Sequence, residues 1–178
     1  KLMKKDFNQN NWKQLDFTDI IVHFFVNDTE LIMPNKTNIF TRHTHLGVVT
    51  WKLFNSYKAS FKKDNITEYY KKKYNDDYLG FQVAKAELTN LKKYCDIKKI
   101  NCIVVLMPDI HKLSPYNLSF INKKVSALTK ELKISYLDLL PAFQNIEENI
   151  LWNEYQDPHP NSYGHKIIAE EIYNYLNK

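Results

Sequence analysis

Asp19-Ile20-Ile21-Val22-His23-Phe24-Phe25-Val26 is apolar almost throughout and stops at Asn27-Asp28. An unbroken run of β-branched and aromatic residues predicts a strand buried on both faces, as inside a parallel sheet, rather than the alternating pattern of a half-solvated strand. Working outward, Lys13 to Thr18 is a polar lead-in. Cys102-Ile103-Val104-Val105-Leu106-Met107 repeats the buried-strand character and is stopped by Pro108, and Ile134 to Leu139 is a shorter third run closed by Pro141. Between and after these runs the apolar period changes to that of a helix. Phe81 to Tyr94 carries it through Val83, Ala84, Leu88 and Leu91, and Asn117 to Leu132 through Phe120, Ile121, Val125 and Leu128. Asn161 to Leu176 carries it through Ile168, Ile172 and Tyr175. Strand–helix alternation predicts an α/β domain with a parallel sheet, whose site forms at the carboxyl ends of its strands. The loops after Val26, Met107 and Leu139 are therefore the ones to search.

The remaining segments are less regular. Thr29 to Arg42 is polar and broken by Pro34, Thr44 to Phe61 is amphipathic, and Asp64 to Asp77 is charged and Tyr-rich, which reads as a surface excursion. The last segment could also cover an acyl or glycan pocket through Tyr69, Tyr70 and Tyr78. At 178 residues, 44% hydrophobic and 25% charged, the chain fits one globular domain, residues 1–178. No apolar run is long enough for a membrane-spanning helix. The net charge of +5 comes with 24 Lys and a single Arg, Arg42. Scattered lysines without arginine argue against nucleic-acid recognition, since base readout and phosphate forks favour the guanidinium. Only Gly47, Gly80 and Gly164 are glycines, few for the turns of a complete α/β domain.

Chemistry concentrates in Asn27-Asp28 and in Asp157-Pro158-His159-Pro160-Asn161-Ser162-Tyr163-Gly164-His165. In the second segment, a carboxylate two residues from an imidazole can reach its Nδ1, set its tautomer and stabilise the imidazolium. Pro158 and Pro160 fix φ on either side of His159. Asn161 or Ser162 can cap the helix that follows. The same residues also fit a Pro-rich turn with an N-cap, and Asn27 also fits an Asx turn at a strand end.

Asp157-Pro158-His159-Pro160-Asn161 with Gly164-His165 and an Ile-rich helix resembles the last conserved block of the SGNH (GDSL-type) hydrolases. The strand ending in Asn27-Asp28 resembles their third block, and Leu106-Met107-Pro108 and Tyr136 to Leu140 fit the layout between. The resemblance covers roughly residues 16–178. It implies a flavodoxin-like three-layer α/β/α fold and ester hydrolysis by a Ser-His-Asp mechanism on a small-molecule or glycan ester, without metal or organic cofactor. By position, His159 resembles the catalytic base, Asp157 its orienting carboxylate, and Asn27 the side-chain donor of the oxyanion hole. Export to a periplasmic or extracellular compartment is plausible for such a relative.

Two departures qualify the resemblance. Phe25 stands where the third block has glycine, and no Gly-Asp-Ser occurs. The family's nucleophile precedes the third block, where this chain has neither Ser nor Gly. The expectation is a domain lacking its first strands and helices, with the Ser upstream. None of Ser56, Ser60, Ser114, Ser119, Ser126 and Ser135 stands on a turn suited to a nucleophile, and Ser162 reads as a capping residue. Acyl transfer to a glycan is the nearest alternative, and a non-catalytic α/β binding module is the alternative of another class. His43 and His45 with His159 and His165 could be zinc ligands, but no Cys pair or His-Glu-x-x-His accompanies them. His111 sits on a site-side loop and could line the substrate mouth or be merely solvated. His165 reads as a packing or capping residue, and Asp138 as a structural hydrogen-bonding group. Cys95 and Cys102 could pair, which spacing alone does not decide.

Overall fold

The computed structural model describes residues 18–30, 66–154 and 157–177, with the side chains of all of these except 154, 157 and 158. The amphipathic run 44–61, His43, His45, Ser56 and Ser60 lie outside the described residues. The chain is mixed α/β. Strands β1 (Asp19–Phe25), β2 (Asn101–Met107) and β3 (Ser135–Asp138) form a parallel sheet in the order β1-β2-β3. Asp19 pairs with Asn101 and Phe25 with Met107, while Ile103 pairs with Ser135 and Leu106 with Asp138. The strands expected from the three apolar runs are thus present, parallel and in the expected order.

Helices α1 (Ile66–Lys73) and α2 (Leu79–Lys98) lead from β1 to β2, and α3 (Ser119–Leu132) leads from β2 to β3. These three cover one face of the sheet. Phe24, Val104 and Leu106 meet Tyr70, Phe81, Leu88, Ile121 and Val125 there. The short α4 (Leu140–Phe143) and the C-terminal α5 (Ser162–Leu176) cover the other face, where Ile103, Val105 and Met107 meet Leu139, Phe143 and Ile168. Burying each such side chain contributes roughly 1.5–3 kcal/mol over leaving it in water. β2 is central and its residues 102–107 are all buried. β1 is not buried on both faces as its composition predicts. Ile20, Val22 and Phe24 pack inward, whereas Ile21 is 40% exposed and His23 is also exposed. Among the described residues the Ile21–His23 side of β1 is only partly covered.

The segment read as a surface excursion is instead structural. α1 and the turn after it bury Tyr70 and Tyr74 in the main core. The two tyrosines are four residues apart, one helical turn. The neighbouring Lys71 and Lys72 are exposed, and the lysine run masks that period in the composition.

α2 and α3 end alike, with Lys99 (φ 56°) and Lys133 (φ 54°) in the left-handed conformation. Lys99 N–H donates to Asp96 O and Ile100 N–H to Cys95 O; Lys133 N–H donates to Lys130 O and Ile134 N–H to Thr129 O. These are Schellman ends in which lysine occupies the position usually given to glycine. The small number of glycines therefore reflects lysine at helix ends and does not by itself signal absent elements. Cys95 at the end of α2 and Cys102 at the start of β2 are joined by a disulfide, with Cα atoms 6.2 Å apart.

Between β3 and α5 the chain forms a 3-10 turn (Glu148–Ile150) and an antiparallel hairpin of β4 (Trp152–Glu154) and β5 (Asp157–Pro160), with Trp152 opposite Pro160. The Asp157–Pro160 segment is thus a strand, not a Pro-rich turn. Asn161, not Ser162, caps α5: its Oδ1 accepts from Tyr163 N–H and Gly164 N–H, both at 3.0 Å. Its Nδ2 donates to Ile150 O (2.9 Å) and Trp152 O (3.2 Å), tying the helix start to the hairpin.

Candidate functional site

At the carboxyl end of β1 the chain makes two successive turns. Asp28 N–H donates to Phe25 O (3.0 Å) and Glu30 N–H to Asn27 O (2.8 Å). The Asp28 carboxylate accepts from Phe25 N–H at 2.8 Å. The local side-chain bond of this turn thus belongs to Asp28. The exposed Asn27 amide makes no hydrogen bond among the described residues. Two contacts fix the turn. The Tyr74 hydroxyl donates to Val26 O at 3.0 Å, and Thr29, fully buried, lies against the start of α2 at Gly80. A Cβ on Gly80 would stand 1.9 Å from Thr29 O. Partial desolvation raises the Asp28 carboxyl above its ordinary range, opposed by the Phe25 N–H and by His23. Desolvation lowers His23, opposed by Asp28 and reinforced by His165, so these three groups share one neighbourhood at the sheet's β1 side.

The loop after β2 holds a second constellation. Asp109 Oδ1 accepts from His111 N–H at 3.0 Å and lies 2.5 Å from His111 Nδ1. The Asp109 N–H donates to Tyr116 Oη at 3.3 Å. The Asp109 side chain is 13% exposed and that of His111 48%. Further along, the N–H groups of Leu113 (2.8 Å) and Ser114 (3.4 Å) donate to Glu148 Oε1, and the Leu113 bond first of all holds that carboxyl below its ordinary range. A cleft of about 470 Å³ opens there, lined among others by Leu113, Ser114, Tyr116, Ser119, Gln144 and Asn145.

After β3, Asp138 Oδ1 accepts from Asn122 Nδ2 (2.8 Å) and Leu140 N–H (2.9 Å). It takes up the N–H of the first residue of α4 and ties that residue to α3, the structural role expected of it. Tyrosines fill the space behind these strand ends. Burial above all, then Glu30 and Asp109, pushes Tyr70 up to about 12. Burial likewise raises Tyr74, Tyr116 and Tyr136.

The hairpin carrying His159 reaches this end of the molecule. The Trp152 ring lies 6.1 Å from the His111 ring, and Trp152 is paired with Pro160, next to His159. His159 is exposed on β5. Positions 157 and 159, two apart on a strand, fall on the same side of it. The Asp157 side chain lies outside the described residues, so its expected contact with His159 Nδ1 does too. His165 is exposed on the first turn of α5, whose cap is Asn161, and it lies close enough to His23 to lower its pKa further. Asn27 therefore sits at the carboxyl end of β1, and His159 in a hairpin beside the carboxyl-end loop of β2. Chemically, these strand ends present an exposed amide donor and two exposed imidazoles. Among the described residues no three His, Cys, Asp or Glu side chains are grouped to hold a metal ion; His43 and His45 are outside that set. No described helix is long and apolar enough to cross a membrane.

The Asp109–His111 pair was the constellation least expected from sequence, although its signal was present. Asp109-Ile110-His111 has the same carboxylate-x-imidazole spacing as Asp157-Pro158-His159, immediately after a strand. No protein-family model matches the chain, and neither a curated protein nor a solved structure matches it.

Proposed function

We propose that the chain is the C-terminal part of an SGNH-type ester hydrolase of flavodoxin-like, three-layer fold. In this reading a serine outside residues 1–178 attacks the ester carbonyl. His159 accepts its proton, Asp157 orients His159, and the Asn27 amide donates to the oxyanion. An uncharged amide N–H aimed where negative charge develops, at a fixed strand end, lowers the barrier without reorganising. The observation that carries the reading is topological. A parallel β1-β2-β3 sheet puts Asn27 at the carboxyl end of its strand, and the hairpin with His159 abuts the loop at the carboxyl end of the next. Ligands of open α/β sheets bind at that end. The Asn27 amide, which makes no hydrogen bond among the described residues, adds to it, since the turn it sits in is already held by Asp28 and Tyr74.

The test is turnover of a short-chain aryl ester by the protein expressed from its complete reading frame. Asn27→Ala should lower kcat by about 10²–10³-fold, the loss typical of one oxyanion donor, and His159→Ala should lower it further. Asn27→Ala should leave the melting temperature nearly unchanged, since that side chain is exposed. No turnover by the parent, in a frame without Gly-Asp-Ser, favours the non-catalytic binding module instead.

A further inference from the structure

We propose that the end of the molecule where α2 and α3 terminate is a docking surface for an anionic lipid bilayer. The inference stands on the fold and does not depend on the ester-hydrolase reading. In the sequence the lysines are scattered, but the fold gathers several of them. α2 runs into β2 and α3 into β3, and these strands are neighbours, with Ile103 opposite Ser135. The last turns of both helices therefore stand at the amino ends of the strands, the end of the sheet opposite Asn27. Lys93, Lys98 and Lys99 are exposed there at the end of α2, and Lys130 and Lys133 at the end of α3. None of these ammonium groups is in an ion pair among the described residues. The carboxylates nearby already have partners. Asp96 pairs with Lys92, Glu131 pairs with Lys85 at 2.9 Å, and Asp19 accepts from the Thr18 hydroxyl at 2.7 Å and the Asn101 amide at 3.1 Å.

An apolar tip stands among these lysines. Ile97, in the last turn of α2, is 80% exposed, more than any other large apolar side chain among the described residues. It lies one helical turn from Lys93 and next to Lys98. The disulfide from Cys95 to Cys102 ties this turn to the start of β2, so the tip is held on a fixed base. Lys99 and Lys133 add a further sign. A lysine anywhere in the last turn complements the helix dipole, yet these two occupy the left-handed position, where glycine would be free of strain. An isoleucine ringed by ammonium groups suits an anionic bilayer, whose headgroup phosphates take the lysines and whose acyl boundary takes the side chain. A nucleic acid offers the phosphates but no place for Ile97, and the patch carries no guanidinium to fork them. Docked in this way, the molecule turns the carboxyl ends of its strands toward water.

The experiment is co-sedimentation of the protein from its complete reading frame with vesicles of phosphatidylcholine and phosphatidylglycerol, against vesicles of phosphatidylcholine alone. The parent should prefer the anionic vesicles, and added salt should weaken the binding. Lys99→Gly combined with Lys133→Gly should weaken it by about 25-fold, about fivefold for each lysine at the surface. The same variant should melt above the parent, because both positions favour glycine. Binding and stability thus move in opposite directions, which misfolding cannot imitate. Ile97→Gln should weaken binding by about tenfold through the lost apolar contact. In Ile97→Trp the emission of the new indole should shift to shorter wavelength when anionic vesicles are added. A parent that ignores anionic vesicles, lysine variants that bind as the parent does, or an indole emission unmoved by vesicles overturns the docking surface. A loss in the lysine variant without any in Ile97→Gln, or a preference for a DNA duplex over the vesicles, assigns the lysines to a soluble polyanion and overturns the bilayer as partner.

Discussion

Gly80→Ala probes the contact that sets the β1 end, and with it Asn27. Gly80 is the second residue of α2, and its Cα faces the Thr29 carbonyl so closely that a Cβ would lie 1.9 Å from the oxygen and 3.0 Å from its carbon. Those are backbone atoms of a buried residue, so no side-chain rotation relieves the overlap. Either the turn or the helix start must move by more than an ångström. Overpacking of this kind costs typically 1–3 kcal/mol, and a backbone clash belongs at the upper end. Alanine in a helix regains about 1 kcal/mol over glycine. The net expectation is a loss of about 2 kcal/mol, or a fall in melting temperature of about 4–8 °C for a domain of this size. Thermal melts followed by circular dichroism measure it. Gly164→Ala is the internal control. Its Cβ meets Leu151 O and Pro160 Cβ at 3.0 Å, a contact that small shifts relieve, so helix propensity should offset most of the cost. If Gly80→Ala melts at or above the parent, Thr29 does not rest on α2, and the placement of Asn27 loses its support.

Other expectations concern the elements around the site. Asn161→Ala removes two accepted and two donated hydrogen bonds at the start of α5 and should cost about 2 kcal/mol; Asn161→Asp keeps the cap alone and should fall between, both read by urea unfolding. Lys133→Gly should stabilise by about 1 kcal/mol in the same assay, because glycine relieves the left-handed strain at the end of α3. At high pH the folded protein should lose stability steeply. Burial raises Tyr70, Tyr74, Tyr116 and Tyr136, so the unfolded chain releases tyrosine protons near pH 10 while the folded chain retains them, to about 12 at Tyr70. The unfolded state then binds fewer protons, the slope of stability with pH is negative, and tyrosinate absorbance should rise together with unfolding rather than before it.

Much of the scaffold was legible because strand and helix periods are local properties. β2 announced itself through six consecutive apolar residues, and its neighbours followed from alternation. What escaped was set by tertiary context. The burial of Tyr70 and Tyr74 depends on where α1 lies against the β1 end, and their lysine-rich surroundings point the other way. The hairpin of β4 and β5 is built from short strands whose prolines suggest a turn. It is held by Asn161, whose hydrogen bonds to Ile150 and Trp152 are not visible in the order of residues. Of the site, Asn27 and His159 stood out by motif. Asp109 and His111 had the same spacing as Asp157 and His159 but no accompanying motif, and only the folded loop shows the carboxylate under the ring. The disulfide likewise needed the 6.2 Å approach of Cys95 and Cys102 to be decided.

The central claim is that Asn27 and His159 serve a serine that carries the acyl group. Labelling with a fluorophosphonate tests it most directly. The protein from its complete reading frame is incubated with the reagent, digested, and the adduct located by tandem mass spectrometry. The account predicts one labelled serine, outside residues 1–178, whose labelling rate falls by orders of magnitude in His159→Ala, and no label on a chain of residues 1–178 alone. An unlabelled complete protein, a label on Ser114, Ser119 or another serine of this chain, or labelling indifferent to His159, would contradict it.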